Sequence, residues 1–160
     1  MKRLNINFLL ISFVFFVVAT RIIAAYFFPD TRLDNEWGKL VHNLELSGIF
    51  GINVAIDDFN AIHKFANPGD IVLPSIFMPP LYAYFIYFIK LLFGNLFDVI
   101  KTVILVQIIL SLISIYLFFK ISRKFEDFNY SFLLTTVFSF FPIYIYSCSQ
   151  VSSIILQIFL

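Results

Sequence analysis

The stretch FLLISFVFFVVATRIIAAYFF (8–28) decides how this chain is read. It has about the 20 residues that an α-helix needs to cross the hydrocarbon layer of a bilayer, and Lys2 and Arg3 precede it. A cleaved secretory signal would begin in a similar way. Against that reading, Arg21 interrupts the apolar core, the Ala24-Ala25 pair is a poor cleavage site, and the downstream sequence is membrane-like as well. The run therefore reads as a retained first span with its N-terminus in the cytoplasm.

Composition agrees. Of the 160 residues 61% are hydrophobic and only 13% charged, and the mean hydropathy is +0.93, which is more apolar surface than a soluble domain of this length can bury. A net charge of +1, from 11 Lys+Arg against 10 Asp+Glu, lacks the basic footprint that nucleic-acid binding requires. Cys148 is the single cysteine, so neither an internal disulfide nor a cysteine-based metal site can form. The 23 Phe reflect codon bias as readily as ligand stacking and carry no functional signal by themselves.

Beyond the first span, the chain turns polar from Pro29 to Ser75, with seven acids (Asp30, Asp34, Glu36, Glu45, Asp57, Asp58 and Asp70) against three bases (Arg32, Lys39 and Lys64). That balance reads as an outer-face loop. Within it Trp37, Leu40, Val41 and Leu44 recur at i, i+3, i+4 and i+7, opposite Glu36, Lys39, Asn43 and Glu45. This predicts an amphipathic juxtamembrane helix near 35–47, ended by Gly48 and lying on the membrane surface. Asn67-Pro68-Gly69-Asp70 signals a turn. MPPLYAYFIYFIKLLFG (78–94) begins with Pro79-Pro80 and closes with Gly94, which predicts a second short helix near 79–93.

Whether that helix spans is decided by the distribution of bases. If it spans, the cytoplasmic side holds four (Lys2, Arg3, Lys90 and Lys101) and the outer side six (Arg32, Lys39, Lys64, Lys120, Arg123 and Lys124), the reverse of the usual bias. If it lies at the interface, Lys2, Arg3, Lys120, Arg123 and Lys124 fall together inside on short segments. The second arrangement is the one expected. Residues 29–98 are then outside, 99–119 form the second span, 120–128 a cytoplasmic loop and 130–146 the third span. Ser147 to Ser149 lie at the outer face, and 151–160 begins a fourth span that is too short to cross, as in the front part of a longer protein. The fold class expected is all-α, with polytopic membrane helices and an outer loop carrying juxtamembrane helices.

Several residues in this frame could carry chemistry. Asp34 and Glu36 stand where a helix favours an N-cap and an early acid, and a carboxylate near a membrane surface is also where a general base for a lipid-linked substrate would sit. Arg21, about two turns below the outer end of the first span, is a costly cation that needs a partner. It serves a functional anion, or it snorkels, or it pairs with Asp30 or Asp34. Lys90 either meets a lipid phosphate or anchors its helix at the headgroups. His42 and His63 lack a second ligand at helical spacing, and Asp57-Asp58 reads as a turn, so no metal site is expected from them.

Three segments in order resemble the N-terminal region of GT-C-type glycosyltransferases, in the branch of dolichyl-phosphate-mannose-protein mannosyltransferases and bacterial aminoarabinose transferases. They are the arginine-bearing span followed by LDNEWGKLVHNLELSGIFG (33–51), the Pro-Pro-Leu-Tyr helix MPPLYAYFIYFIKLLFG (78–94), and VQIILSLISIYLFFKISRKF (106–125) with the span through FFPIYIYSCSQ (140–150). The resemblance implies a multi-pass transferase of a bacterial inner membrane that moves a sugar from a polyprenyl-phosphate donor to a protein or lipid-glycan acceptor on the outer face, with inversion. It implies Glu36, with Asp34, as the catalytic carboxylates and leaves a divalent metal cofactor open; Arg21 and Lys90, by their own chemistry, are the candidates to hold the lipid phosphate. The family often has an acid after the third span, where this chain has Ser147-Cys148-Ser149-Gln150-Val151-Ser152-Ser153. The alternative class is a non-enzymatic membrane protein, a transporter fragment or assembly subunit. The absence of a repeat of the 1–94 pattern weighs against a transporter.

Overall fold

A computed structural model of the chain describes residues 6–33, 36–53, 71–75, 78–94 and 96–160, with side chains from Phe8 onward. Among these residues the chain is mostly helical: α1 (Ile6–Phe27), α2 (Glu36–Ser47), α3 (Pro80–Phe93), α4 (Val99–Ser122), α5 (Phe128–Ser139), α6 (Pro142–Ser147) and α7 (Ile154–Phe159), with two short strands, β1 (Gly51–Asn53) and β2 (Val72–Pro74). Two compact units emerge, one from residues up to Asp30 with Ile104–Leu160, the other from Thr31–Val103. Asp34, His63, the Asp57-Asp58 pair and the 67–70 turn lie outside the described residues.

Two helices are long and apolar enough to cross a membrane, α1 over Phe8–Phe27 and α4 over Val99–Ser122. At 1.5 Å per residue, the 22 residues of α1 extend about 33 Å. Much of α1 faces outward with large apolar side chains, Ile11, Phe15 and Phe27 each being about two-thirds exposed. Contiguous apolar surface on that scale calls for a non-aqueous neighbour. The start of α4 is capped by Asp98, whose carboxylate accepts from the Ile100 N–H at 2.9 Å.

The third span expected over 130–146 is not one helix. α5 stops at Ser139 and α6 starts at Pro142, because a proline supplies no N–H to the preceding turn and holds the residue before it extended. Phe141 accordingly has φ −63° and ψ 122°. The Asp127 carboxylate caps the start of α5 by accepting from the Tyr130 N–H at 3.0 Å. The core of this unit joins Val17, Ile115, Tyr144, Cys148 and Ile155, with Phe13 and Phe138 packed against it. Ser147 and Ser149 are buried, where the sequence suggested an outer-face loop.

The second unit is built on α2 and α3. Leu40, Val41 and Leu44 are buried as their spacing predicts, but against protein: α2 packs on α3 and on β1. The apolar stripe of α2 is thus covered by α3 and β1. The two helices run parallel, since Trp37 meets Tyr82 edge-on at 4.9 Å near their starts and Glu45 pairs with Lys90 near their ends. Gly48 ends α2 at φ 70°, a conformation that suits glycine. The Asn43 side-chain amide then donates to the Gly51 carbonyl at 2.8 Å and ties β1 to the helix. β1 and β2 pair antiparallel, Gly51 opposite Pro74 and Asn53 opposite Val72, an addition to an otherwise all-α architecture.

Gly38 is a sharp constraint in this unit. A Cβ there would sit 1.8 Å from the Leu33 carbonyl oxygen, a backbone atom that cannot rotate away. Gly38→Ala is therefore expected to lower stability by about 1–3 kcal/mol despite alanine's better helix propensity. Thermal unfolding of the variant against the parent measures it, and an unchanged or higher Tm would contradict the close approach.

Candidate functional site

The most unusual local chemistry lies around Arg21 on α1. Its side chain is fully buried, yet no carboxylate pairs with it among the described residues. Instead, Nε donates to the Ser111 hydroxyl on α4 at 2.9 Å, Nη1 to the Val17 carbonyl one turn back at 3.0 Å, and Nη2 to the Ser139 carbonyl at 3.2 Å. The guanidinium carbon lies 5.3 Å from the centre of the Tyr144 ring on α6. Each contact offsets part of the cost of burying a cation through charge-assisted hydrogen bonds and a π face.

The break between α5 and α6 explains the third contact. In an unbroken helix the Ser139 carbonyl would accept from residue 143, but the turn at Phe140-Phe141-Pro142 removes that donor. Arg21 takes its place, at the partially negative C-terminal end of α5. Tyr144 adds a tie by donating its hydroxyl to the Ser111 carbonyl at 3.0 Å. Arg21 thus neither snorkels nor pairs with Asp30, whose carboxylate accepts from the Val151 N–H at 2.7 Å. Asp30 therefore brings an acid to the 147–153 stretch that lacks one of its own. A phosphate reaching Arg21 would have to displace one of these intramolecular partners.

The surrounding polar groups form a buried seam: Gln107, Ser111 and Ser114 on α4, and Ser131, Thr135 and Ser139 on α5. Their i, i+4, i+7 and i, i+4, i+8 spacings are readable in the sequence and are the signal that points to the interior faces of both helices. The sequence reading named none of these six as site residues.

In the other unit, Glu36 is exposed in the first turn of α2, where its charge complements the helix dipole, and it has no ion pair among the described residues. Lys90 is half-exposed and its ammonium is paired with Glu45 at 2.5 Å. Glu36 and Lys90 are not brought together. They belong to opposite ends of the parallel pair, since Lys90 meets Glu45, nine residues from Glu36, or about 13.5 Å along the axis. His42 is half-buried on α2, and among the described residues no three His, Cys, Asp or Glu side chains gather into a metal-binding group. No family model, curated protein or solved structure matches the chain.

Proposed function

We propose that this chain belongs to a multi-pass membrane glycosyltransferase that takes a sugar from a polyprenyl-phosphate donor and transfers it, with inversion, to an acceptor at the outer face of a bacterial inner membrane. The observation that carries the reading is a carboxylate with no ion pair among the described residues, Glu36, exposed at the start of a packed two-helix unit in a chain with two membrane-length helices. A base needs that accessibility to reach an acceptor hydroxyl. Glu36 takes the proton and Asp34 shares the site. Arg21 and Lys90 contribute to recognition of the lipid phosphate on condition that an anion displaces Ser139 or Glu45 from them. The satisfied network around Arg21 favours a second reading, a non-enzymatic membrane subunit in which the same contacts only hold helices together.

Transfer from a labelled polyprenyl-phosphate sugar, followed with the membrane-embedded protein, separates the two. No transfer with any such donor would leave the subunit reading.

The topology proposed is N-terminus and 120–128 inside, 29–98 outside, and α3 at the interface. It is supported by the antiparallel run of α1 and α4, since Leu10 and Phe13 near the start of α1 line the same groove as Tyr116 and Phe119 near the end of α4. In a Cys148→Ser background, Asp98→Cys is expected to react with an impermeant thiol reagent added outside, and Lys120→Cys and Arg123→Cys only after the membrane is opened. The reverse labelling pattern would show that α3 crosses.

A further inference from the structure

A second feature of the first unit lies away from Arg21. Leu10, Phe13 and Val17 on α1, Leu112 and Ile115 on α4, and Phe132 on α5 line an open groove of about 360 Å³. Water gains nothing there. Of the two hydroxyl-bearing residues in the lining, Thr135 already donates to the Ser131 carbonyl at 2.7 Å and Tyr116 is largely exposed. At roughly 30 Å³ for a water-sized group, the space holds about a dozen such groups, a length of hydrocarbon chain.

The groove ends beside three bases. Lys120 lies over the Tyr116 ring, 5.7 Å from its centre, and Tyr116 lines the groove. Arg123 lies over Phe128 at 5.8 Å, and Phe128 stacks on the groove residue Phe132. Lys124 is exposed on the same turn, and none of the three has a carboxylate partner among the described residues. Arg123 donates only to the Glu126 carbonyl, at 3.3 Å, and an apolar slot that opens at three bases without an ion pair among the described residues matches a molecule with a hydrocarbon tail and an anionic head.

We propose that this end of the unit binds an anionic membrane phospholipid, one acyl chain in the α1–α4–α5 groove and its phosphate on Lys120, Arg123 and Lys124. The inference rests on the membrane reading above but not on the transferase. Charge complementarity is what selects a lipid over a further apolar helix as occupant, since a helix would leave the three bases unanswered.

The test uses the whole chain purified in mild detergent, with dioleoylphosphatidylglycerol, dioleoylphosphatidylcholine or inorganic phosphate added. The anionic lipid is expected to raise the melting temperature and to bind at least 10-fold more tightly than the zwitterionic one, with inorganic phosphate inert. Replacing all three bases by glutamine should lower affinity for the anionic lipid by on the order of 100-fold, since each base near an anionic headgroup contributes a comparable share. Leu112→Trp, which fills the groove and leaves the bases in place, should reduce binding of both lipids. Lys120→Gln alone, with a smaller loss, covers the case in which a multiple variant does not fold. Equal stabilisation by both lipids, stabilisation by inorganic phosphate alone, or a protein cross-linked through Leu112→Cys to another polypeptide would overturn the proposal. Release of the chain from membranes by alkaline carbonate without detergent would instead remove the membrane reading itself, so the two failures are distinct.

Discussion

Under the proposed transferase function, Glu36→Gln is expected to lower sugar transfer by about 10²–10⁴-fold, the range that removal of a general base produces. The change is nearly isosteric and takes away only the proton-accepting charge. Glu36 is exposed, has no ion pair among the described residues and stands in the first turn of α2, so the structural cost is confined to a weakened dipole interaction of about 0.3–1 kcal/mol. Insertion, expression and the unfolding temperature should therefore stay close to the parent while turnover collapses. Asp34 gives the companion measurement. If it shares the site, Asp34→Asn is severe. If it only caps α2, asparagine substitutes well and the effect is small. Near-parental turnover in both variants, at matched protein levels, would return the acidic pair to a helix-start role and sink the transferase reading.

Arg21→Ala has the largest predicted effect on stability. It removes three hydrogen bonds from a buried cation, leaves the Ser139 carbonyl without its donor and opens a hole between α1, α4 and α6. Bonds to charged groups contribute about 1.5–3 kcal/mol each in soluble proteins, and large-to-small core changes alone cost 2–5, so a loss of about 3 kcal/mol or more is expected. Arg21→Lys should recover part of it, because one ammonium keeps the charge but cannot span Ser111, Val17 and Ser139 together. Ser111→Ala removes one partner and should be mild. Thermal unfolding in detergent of the single variants and of the Arg21→Lys, Ser111→Ala pair reads the coupling directly. Additive effects would mean that the two side chains do not share a bond. A donor KM raised in Arg21→Lys at unchanged stability would restore the phosphate-binding role.

What the sequence made legible was whatever is encoded within a single segment. α1 and α4 follow from length and hydropathy, α2 from the spacing of Leu40, Val41 and Leu44, and α3 from Pro79-Pro80 and Gly94, all properties of consecutive residues. The features that were missed need a distant partner. The apolar stripe of α2 announces that something covers it, and only the fold shows that α3 does. β1 and β2 are three residues each, too short for a period, and pair across the residues between Asn53 and Val72. The stretch 130–146 carries no charge and is largely apolar, so its hydropathy hides the break that Pro142 makes. Arg21 was visible as an anomaly, but its partners lie 90 and 118 residues away. The role of Glu36 rests on resemblance, because an acid at a helix start is also what capping preferences alone would place there.

The link between Arg21 and the end of α5 also bears on biogenesis. In a membrane, α1 would leave the ribosome with only the Val17 carbonyl to meet its guanidinium, while the carbonyl of Ser139 is 118 residues further on. At about 5–20 residues per second, that separation lasts roughly 6–24 s of synthesis. During this interval the nascent helix carries a charge whose insertion at mid-bilayer costs about 2.5–3.5 kcal/mol on translocon scales. The surrounding Phe, Ile and Val side chains must hold α1 in place against it until Ser111 and then Ser139 arrive. Assembly of this bundle in a membrane would therefore be ordered in time as well as in space, the bond to Ser111 becoming available before the bond to Ser139.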